Sequence, residues 1–306
     1  MNGSIRSNFG DVLAPELAVV FFDRYESEPE MMPSIFHVKT SDRDRESESA
    51  VSGFSLLQQT SELGALDYED PNQMYKTTYT HLKYTKGFKV SQELYEDDQH
   101  NVISQLPAAL GKAAKRTQEF YAASVFNNGF NTANTSYGDG KPLFSTLHPR
   151  ADGGTAQSNA SSTGVAFTEP NLNIARTAFR KFLDDKGQKY TSLPDTILTG
   201  VDLEQPVATV INSVLRPGTA NNDMNFFKGK FTQKSWEYIT STTAWFLLAQ
   251  RDHLLTWYWR IRPEFKQDQG FDSDAALYKT RVRFSYGFSD WRGVWGSEGD
   301  LQAYSD

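Results

Sequence analysis

From Tyr278 to Phe288 apolar and polar residues alternate: Tyr278, Thr280, Val282, Phe284, Tyr286 and Phe288 fall on one side, Lys279, Arg281, Arg283 and Ser285 on the other. A period of two over such a run predicts a long half-buried strand, which ends in DWRGVWGSEGD. A second alternation sets Tyr75, Thr77, Tyr79 and His81 against Thr78, Thr80, Leu82 and Tyr84. Before it lie a strand-like run, Gly53 to Thr60, and the turn-rich LGALDYEDPNQ. Together they predict a long hairpin whose tip carries Asp67, Glu69, Asp70 and Pro71. A two-stranded hairpin is marginal in water, so this one must rest on a neighbour.

Helical spacing takes over at Leu106, Leu110, Ala113 or Ala114, Thr117, Phe120 or Tyr121, and Ser124 or Val125. Pro107 suits a first turn and Asn128-Gly129 ends the pattern, giving a helix of about 20 residues, ~30 Å long. The stretch from Phe130 to Gly164 is a long loop rich in Gly, Asn, Ser and Thr. A second helix is predicted from Thr168 as cap and Pro170 in the first turn, with Leu172, Ala175, Phe179 and Phe182 inward and Gly187 as its close. PDTILTG reads as a buried strand. Asp202 is placed as cap of a helix whose inner face is Leu203, Val207, Val210 or Ile211, and Val214. SWEYIT, AWFLLAQ and HLLTWYWRI look like strands, so residues 168 to 262 form a mixed α/β lobe. The first fifty residues hold only short apolar clusters such as Leu17 to Phe22 and a charged run, SDRDRESES from Ser41 to Ser49, expected as a solvated arm. No internal repeat is found.

Composition narrows the classes. The chain has 306 residues, enough for one large domain or two ordinary ones, and no cysteine, which excludes disulfides, thiolate metal sites and a cysteine nucleophile and fits a reducing compartment. A net charge of -7 with interspersed signs leaves no basic stripe for nucleic acid. No run approaches the ~20 apolar residues a bilayer requires, so the chain is expected to be soluble and unexported. Aromatics at 13% with low overall hydropathy suggest extended, sheet-rich structure that meets other chains.

Candidate chemistry fails template by template. GDGKPLFSTLHPR, Gly138 to Arg150, has glycines beside a lysine, but Thr135 replaces the first glycine of a phosphate loop and Pro142 its hydroxyl residue. His37, His81, His100, His148 and His253 contain no helical metal-binding pair, and Ser145 with His148 matches no triad. Glu93, Glu96, Asp97 and Asp98, like Asp184 and Asp185, read as helix-surface charge. DQGFDSD misses the calcium-loop pattern at Gly270 and Ser273. The six tryptophans, Trp236, Trp245, Trp257, Trp259, Trp291 and Trp295, could stack on sugars but fall in β-rich runs suited to packing.

Beside this stand FKVSQELYEDD before the long helix, GDGKPLFSTLHP after it, NLNIARTAFRKFLDDKGQKY opening the lobe, AWFLLAQ within it and RVRFSYGFSDWRGVWGS near the end. In this order, over residues 75 to 297, they resemble the Mu-like major head subunit family of tailed-bacteriophage major capsid proteins, with the Hong Kong 97-type capsid fold. The resemblance implies an α+β chain: N-terminal arm 1–52; extended β-hairpin loop 53–90; peripheral domain 91–166, with a spine helix at about 106–128 and a long loop 130–166; axial α/β domain 167–260; return to the peripheral domain 261–306. It implies a major capsid protein that assembles into hexamers and pentamers around phage double-stranded DNA. The partners implied are the chain itself, scaffolding and portal proteins and a decoration or cement protein, with DNA met only by non-specific proximity and no membrane.

The implied location is the virion, after assembly in the host cytoplasm. No catalytic residue, cofactor or metal is expected, and no enzyme activity. Contacts between subunits are expected at Leu66, Asp67, Tyr68, Glu69, Pro71, Tyr75, Phe144 and His148. The alternatives are an encapsulin-like cellular nanocompartment shell with the same fold, and a glycan-binding or glycan-active β-rich protein that uses the tryptophans.

Overall fold

The computed structural model describes residues 8–70, 73–91, 102–133, 138–218, 223–269 and 275–304. Helix α1 (Asn8–Ser27) and a short α2 (Met32–Ile35) precede strands β1 (His37–Thr40), β2 (Arg45–Val51), β3 (Gln73–Thr80) and β4 (Leu82–Val90). Helix α3 (Val102–Asn127) follows, then α4 (Glu169–Phe179), β5 (Thr196–Thr199), a 3-10 turn (Val201–Leu203) and α5 (Glu204–Asn212). Strands β6 (Thr232–Ser235), β7 (Trp245–Leu248), β8 (Leu255–Gln269), β9 (Ala276–Phe288) and β10 (Val294–Ser297) complete a mixed α+β chain. The strands form one sheet ordered β1-β8-β9-β4, another ordered β10-β7-β5-β6, and a two-stranded ribbon of β2 and β3. The chain divides into two compact units.

The first unit takes the described residues of Met1–Arg45, Thr80–Ala122 and Trp257–Tyr286. β4 pairs antiparallel with β9, from Leu82 beside Phe284 to Val90 beside Ala276. On β9 the side that alternation predicted, Tyr278, Thr280, Val282 and Phe284, is buried. Phe284 stacks on Trp257 at 4.4 Å and on Tyr84 at 4.6 Å. Helix α1 packs along α3 through Phe21, Leu110 and Ala114. A Cβ on Gly111 would lie 2.4 Å from the carbonyl oxygen of Phe21, so only glycine lets the two backbones approach so closely. Tyr25 donates a 2.7 Å hydrogen bond to Gln118, and burial pushes its phenol far above the ordinary range. The Glu119 carboxylate on α3 accepts from the backbone of Met31 and Met32, fixing the approach to α2.

The second unit takes the described residues of Glu46–Tyr79, Ala123–Thr256 and Gly287–Asp306. β5 runs parallel to β6 and antiparallel to β7, and β10 closes the far edge. Every residue of β5, β7 and β10 is buried, which is why these strands read as unbroken apolar runs instead of alternations. The Thr168 hydroxyl caps α4 by accepting from Asn171 N–H, and Leu172, Ala175 and Phe179 turn inward. They join Val207, Val210 and Ile211 of α5 and the indoles of Trp245, Trp291 and Trp295 in one core. The root of the ribbon is tied to this unit: Thr77 accepts from Gly138 N–H at 2.8 Å, and the Tyr79 and Ser289 hydroxyls lie 2.7 Å apart. Thr77 and Tyr79 are buried while Lys76, Thr78 and Thr80 are exposed, as the pattern required.

Several expectations are corrected. Residues 53–60 form no strand; the ribbon's first strand is β2, inside the charged run taken for a solvated arm. Both faces of β2 are polar, and its side-chain ties to β3 include Ser47 with Thr78 and Ser49 with Gln73, so no hydrophobic period marks it. Helix α1 was missed because its apolar residues do not keep to one face: Leu17 and Phe21 are buried, Val19 and Phe22 exposed. Helix α3 starts at Val102, which puts Pro107 inside it, where the missing N–H removes one helical bond. Asp202 lies within the 3-10 turn and caps nothing; Gly187, at φ +76°, serves the Asp184–Gln188 turn, since α4 has ended at Phe179. In SWEYIT the residues Trp236 to Ile239 form a turn, and the strand precedes them.

Candidate functional site

The stretch Gly138 to Arg150 is a buried node of the second unit. Gly138 and Gly140 take φ of +64° and +79°, and between them Asp139 turns its carboxylate back to accept from Lys141 N–H. The Phe144 ring, 0% exposed, packs on Phe130 at 4.8 Å and Phe246 at 5.1 Å. Gly129 and Gly296 press against it so closely that a Cβ on either would meet the ring within 3 Å. Behind it Asn159 Nδ2 donates to the carbonyls of Leu143 and Val294, while Oδ1 accepts from Ser145 N–H. Those backbone partners fix the amide's orientation, so His148 Nε2, 3.0 Å from Asn159 Oδ1, is the donor there. His148 Nδ1 lies 2.7 Å from Asp139 Oδ2, and the imidazole stacks on Trp291 at 4.5 Å.

An aspartate and a histidine at this distance resemble an acid–base pair. However, the ring is 0% exposed, and its far nitrogen meets an amide where a triad would place a nucleophile. Nearby, Arg292 spans Asp290, Asp185 and the Leu183 carbonyl, and burial pushes the Asp290 carboxyl up. Asp184 accepts from the N–H groups of Lys186 and Gln188. Asp184 and Asp185 therefore belong to a turn, not to a helix surface. All six tryptophans are buried, which removes the sugar-stacking surface. Glu93, Glu96, Asp97, Asp98, Gly270 and Ser273 lie outside the described residues. Among the described residues no group of three metal-ligating side chains gathers, and no helix is long and apolar enough to cross a membrane.

The expected contact residues separate into two sets. Phe144 and His148 are 0% exposed, packed within their own unit. Leu66, Asp67 and Tyr68 are exposed on the loop between β2 and β3, whereas Tyr75, half-buried, points its hydroxyl toward the Pro149 carbonyl and closes a narrow recess with Asp139, Asp185 and Arg292. Pro71 lies outside the described residues. Glu69 anchors the loop's base. It accepts from the N–H and hydroxyl of Ser55 at 2.7 Å and pairs with Lys186; the Lys186 bond first, then Ser55, holds its carboxyl down at about 2. Beyond that base Phe54, Leu56, Leu57 and Leu63 stand in solvent, Leu57 at 100% exposure. Phe54, Leu56 and Leu57 were read as part of a strand, and their apolar run was the signal that something else must cover them.

A family model described as phage capsid protein matches residues 75–297. No curated protein matches the chain. Among solved structures, the capsid of Cyanophage P-SCSP1u aligns with a TM-score of 0.59 at 10% identity, covering 88% of this chain and 88% of that one. The procapsid of bacteriophage JBD30 aligns with a TM-score of 0.53 at 18% identity, covering 96% of this chain and 76% of that one. The JBD30 capsid decorated with minor capsid protein trimers gives 0.56 at 13% identity, covering 70% and 92%. At such identities the likeness is one of fold.

Proposed function

The chain belongs to the phage capsid protein family and is a major subunit of a capsid shell; from that premise we propose that it builds an icosahedral head of the Hong Kong 97 type, in the Mu-like group, from hexamers and pentamers of itself closed around double-stranded DNA. In this reading residues 1–52 are the N-terminal arm, 53–90 the extended loop, 91–166 and 261–306 the peripheral domain with α3 as its spine, and 167–260 the axial domain, whose sheet also takes in β10 from the returning segment. The ribbon that carries the loop begins at Arg45, so the loop's root lies a few residues earlier than the arm's nominal end. The role is structural and includes no catalysis. Scaffolding and portal proteins are the expected assembly partners in the host cytoplasm, where a cysteine-free chain loses nothing. A decoration protein is a further partner, by analogy with the minor capsid protein trimers on the JBD30 capsid.

The observation that carries this reading is the uncovered tip between Ser55 and Glu69. Burying a leucine side chain is worth roughly 1.5–3 kcal/mol, and this tip leaves Leu56, Leu57, Leu63 and Leu66 in water. A neighbouring copy lying under the tip would cover them, with Leu66, Asp67 and Tyr68 in the contact. A net charge of -7 would also keep packaged DNA from adhering to the wall. The test is replacement of residues 57–67 by a short Gly-Ser turn, which Ser55 and Glu69 can span because they are already hydrogen-bonded. The shortened subunit is expected to melt like the parent and to fail to close shells in electron micrographs. Loss of folding would show that the tip belongs to the subunit's own core.

A further inference from the structure

The sheet β10-β7-β5-β6 has an acidic end and a basic end, and its register separates them. β5 and β6 run parallel with Thr196 beside Thr232 and Thr199 beside Ser235, so residues that precede β6 lie at the opposite end from residues that follow β5. Thr199 pairs with Trp245, which pairs with Ser297, so residues that follow β10 share the end of those that follow β5. Asp202 and Glu204 follow β5, Glu237 follows β6, and Glu298 and Asp300 follow β10. Asp202, Glu204, Glu237 and Asp300 are exposed, and among the described residues no cation pairs with them. Burial, then the charge of Asp300, pushes the Glu298 carboxyl up, as expected where carboxylates crowd.

The opposite end is crowded with cations. Lys230, just before β6, holds its ammonium 3.0 Å from the centre of the Phe226 ring, and the Arg176 guanidinium lies 5.2 Å from the same ring. Burial and then Arg180 push Arg176 down; burial and then Arg176 push Lys230 down. Of the carboxylates at this end, Glu169 pairs with Arg216, Asp195 accepts from the Thr196 hydroxyl and Gln250 N–H, and Asp252 accepts from the Ser192 hydroxyl, while Asp223 is exposed. Phe226 is nonetheless 51% exposed and Met224 86%. Like charges held together over an exposed aromatic ring, without an anion of their own, are unfavourable in an isolated chain.

We propose that these two ends are the two halves of one head-to-tail contact, in which Arg176, Phe226 and Lys230 of one copy seat against Asp202, Glu204 and Glu237 of the next. This rests on the shell-subunit reading and names the surfaces by which its rings close. A rotationally closed ring requires two different complementary patches on each copy, and patches at opposite ends of one rigid sheet meet that requirement. Opposed charges then set the register and exclude wrong pairings.

The test reverses each end. Arg176→Glu with Lys230→Glu, and separately Asp202→Lys with Glu237→Lys, should each give a folded subunit whose assembled fraction in sedimentation velocity falls about tenfold or more, since like charges then face each other. All four substitutions in one chain should restore assembly. A one-ended variant that assembles like the parent overturns the proposal. So does a four-fold variant that melts like the parent but stays unassembled, which would assign the basic end to a different acidic partner. Should a reversed chain not fold, Lys230→Gln and Glu237→Gln supply the same reading: each should slow assembly several-fold at an unchanged melting temperature, and an unchanged rate overturns the contact. A parent chain that forms no particles under any assembly condition would instead remove the shell reading beneath it.

Discussion

Phe144 and Leu57 are both large apolar residues in stretches without regular structure, yet their surroundings are opposite. Phe144 sits where glycines on two sides and a hydrogen-bonded Asn159 have shaped a slot for it. Leu57 sits, fully exposed, on a loop whose base is bonded at Ser55 and Glu69. The contrast separates two uses of apolar residues outside helices and strands. Where buried polar groups fix the backbone, the side chain stabilises the fold. Where only the base is fixed, the side chain awaits another surface.

The sharpest way to break this comparison is to truncate both. Phe144→Ala removes a fully packed ring from a slot that rigid neighbours cannot refill, and should cost about 3–5 kcal/mol in urea unfolding. Leu57→Ala should leave the unfolding curve in place and reduce shell yield. If Phe144→Ala cost less than Leu57→Ala, the assignment of one to the fold and the other to assembly would be reversed.

A smaller effect is expected at Asn159. Its amide satisfies the Ser145 N–H, the carbonyls of Leu143 and Val294, and the ring nitrogen of His148, all within the unit. Asn159→Ala leaves buried groups unpaired and should destabilise by roughly 1–3 kcal/mol, read in the same unfolding experiment. The near-ultraviolet signal of Trp291, on which His148 stacks, should change with it. An unperturbed tryptophan signal would mean that His148 is held by Asp139 and packing alone.

How far these regions were legible in the chain follows from which forces act locally. β9 and the Thr77–Tyr79 face could be read because a half-buried strand stamps its period on the residues. β5 and β7 could be read because both their faces are covered, which makes them plainly apolar. β2 could not, since its own residues are polar on both faces, Glu48 accepting a hydrogen bond from Ser289, and Arg45 to Ser49 looked only charged. In the stretch Gly138 to Arg150 Leu147 stays 53% exposed, whereas Leu143 and Phe144 are buried as an anchor. The surface they anchor to was out of reach, because Asn159, Phe246 and Trp291 come from distant parts of the chain. The same limit applied to the ends of the second sheet: Asp202 and Lys230 are unremarkable until the register of β5 and β6 sets them apart.

The smallest effect tests how firmly the loop's base is held. The Glu69 carboxyl is held at about 2, first by its bond to Lys186 and then by the two bonds from Ser55. Because this value lies below the usual carboxylate range, the tie is complete above that range and is lost as pH falls through it toward about 2. Lys186→Gln should raise the Glu69 midpoint, followed by carbon NMR on glutamate-labelled protein. The melting temperature should barely move, since partly exposed ion pairs contribute little. Hydrogen exchange at residues 56–66 should also stay the same, because the tip never depended on Lys186. If exchange there rose, the tip would be coupled to its own unit through the base, and the contrast with Phe144 would narrow. If the Glu69 midpoint stayed put, the two Ser55 bonds alone would hold the carboxylate, and the loop's base would open only as pH falls toward about 2.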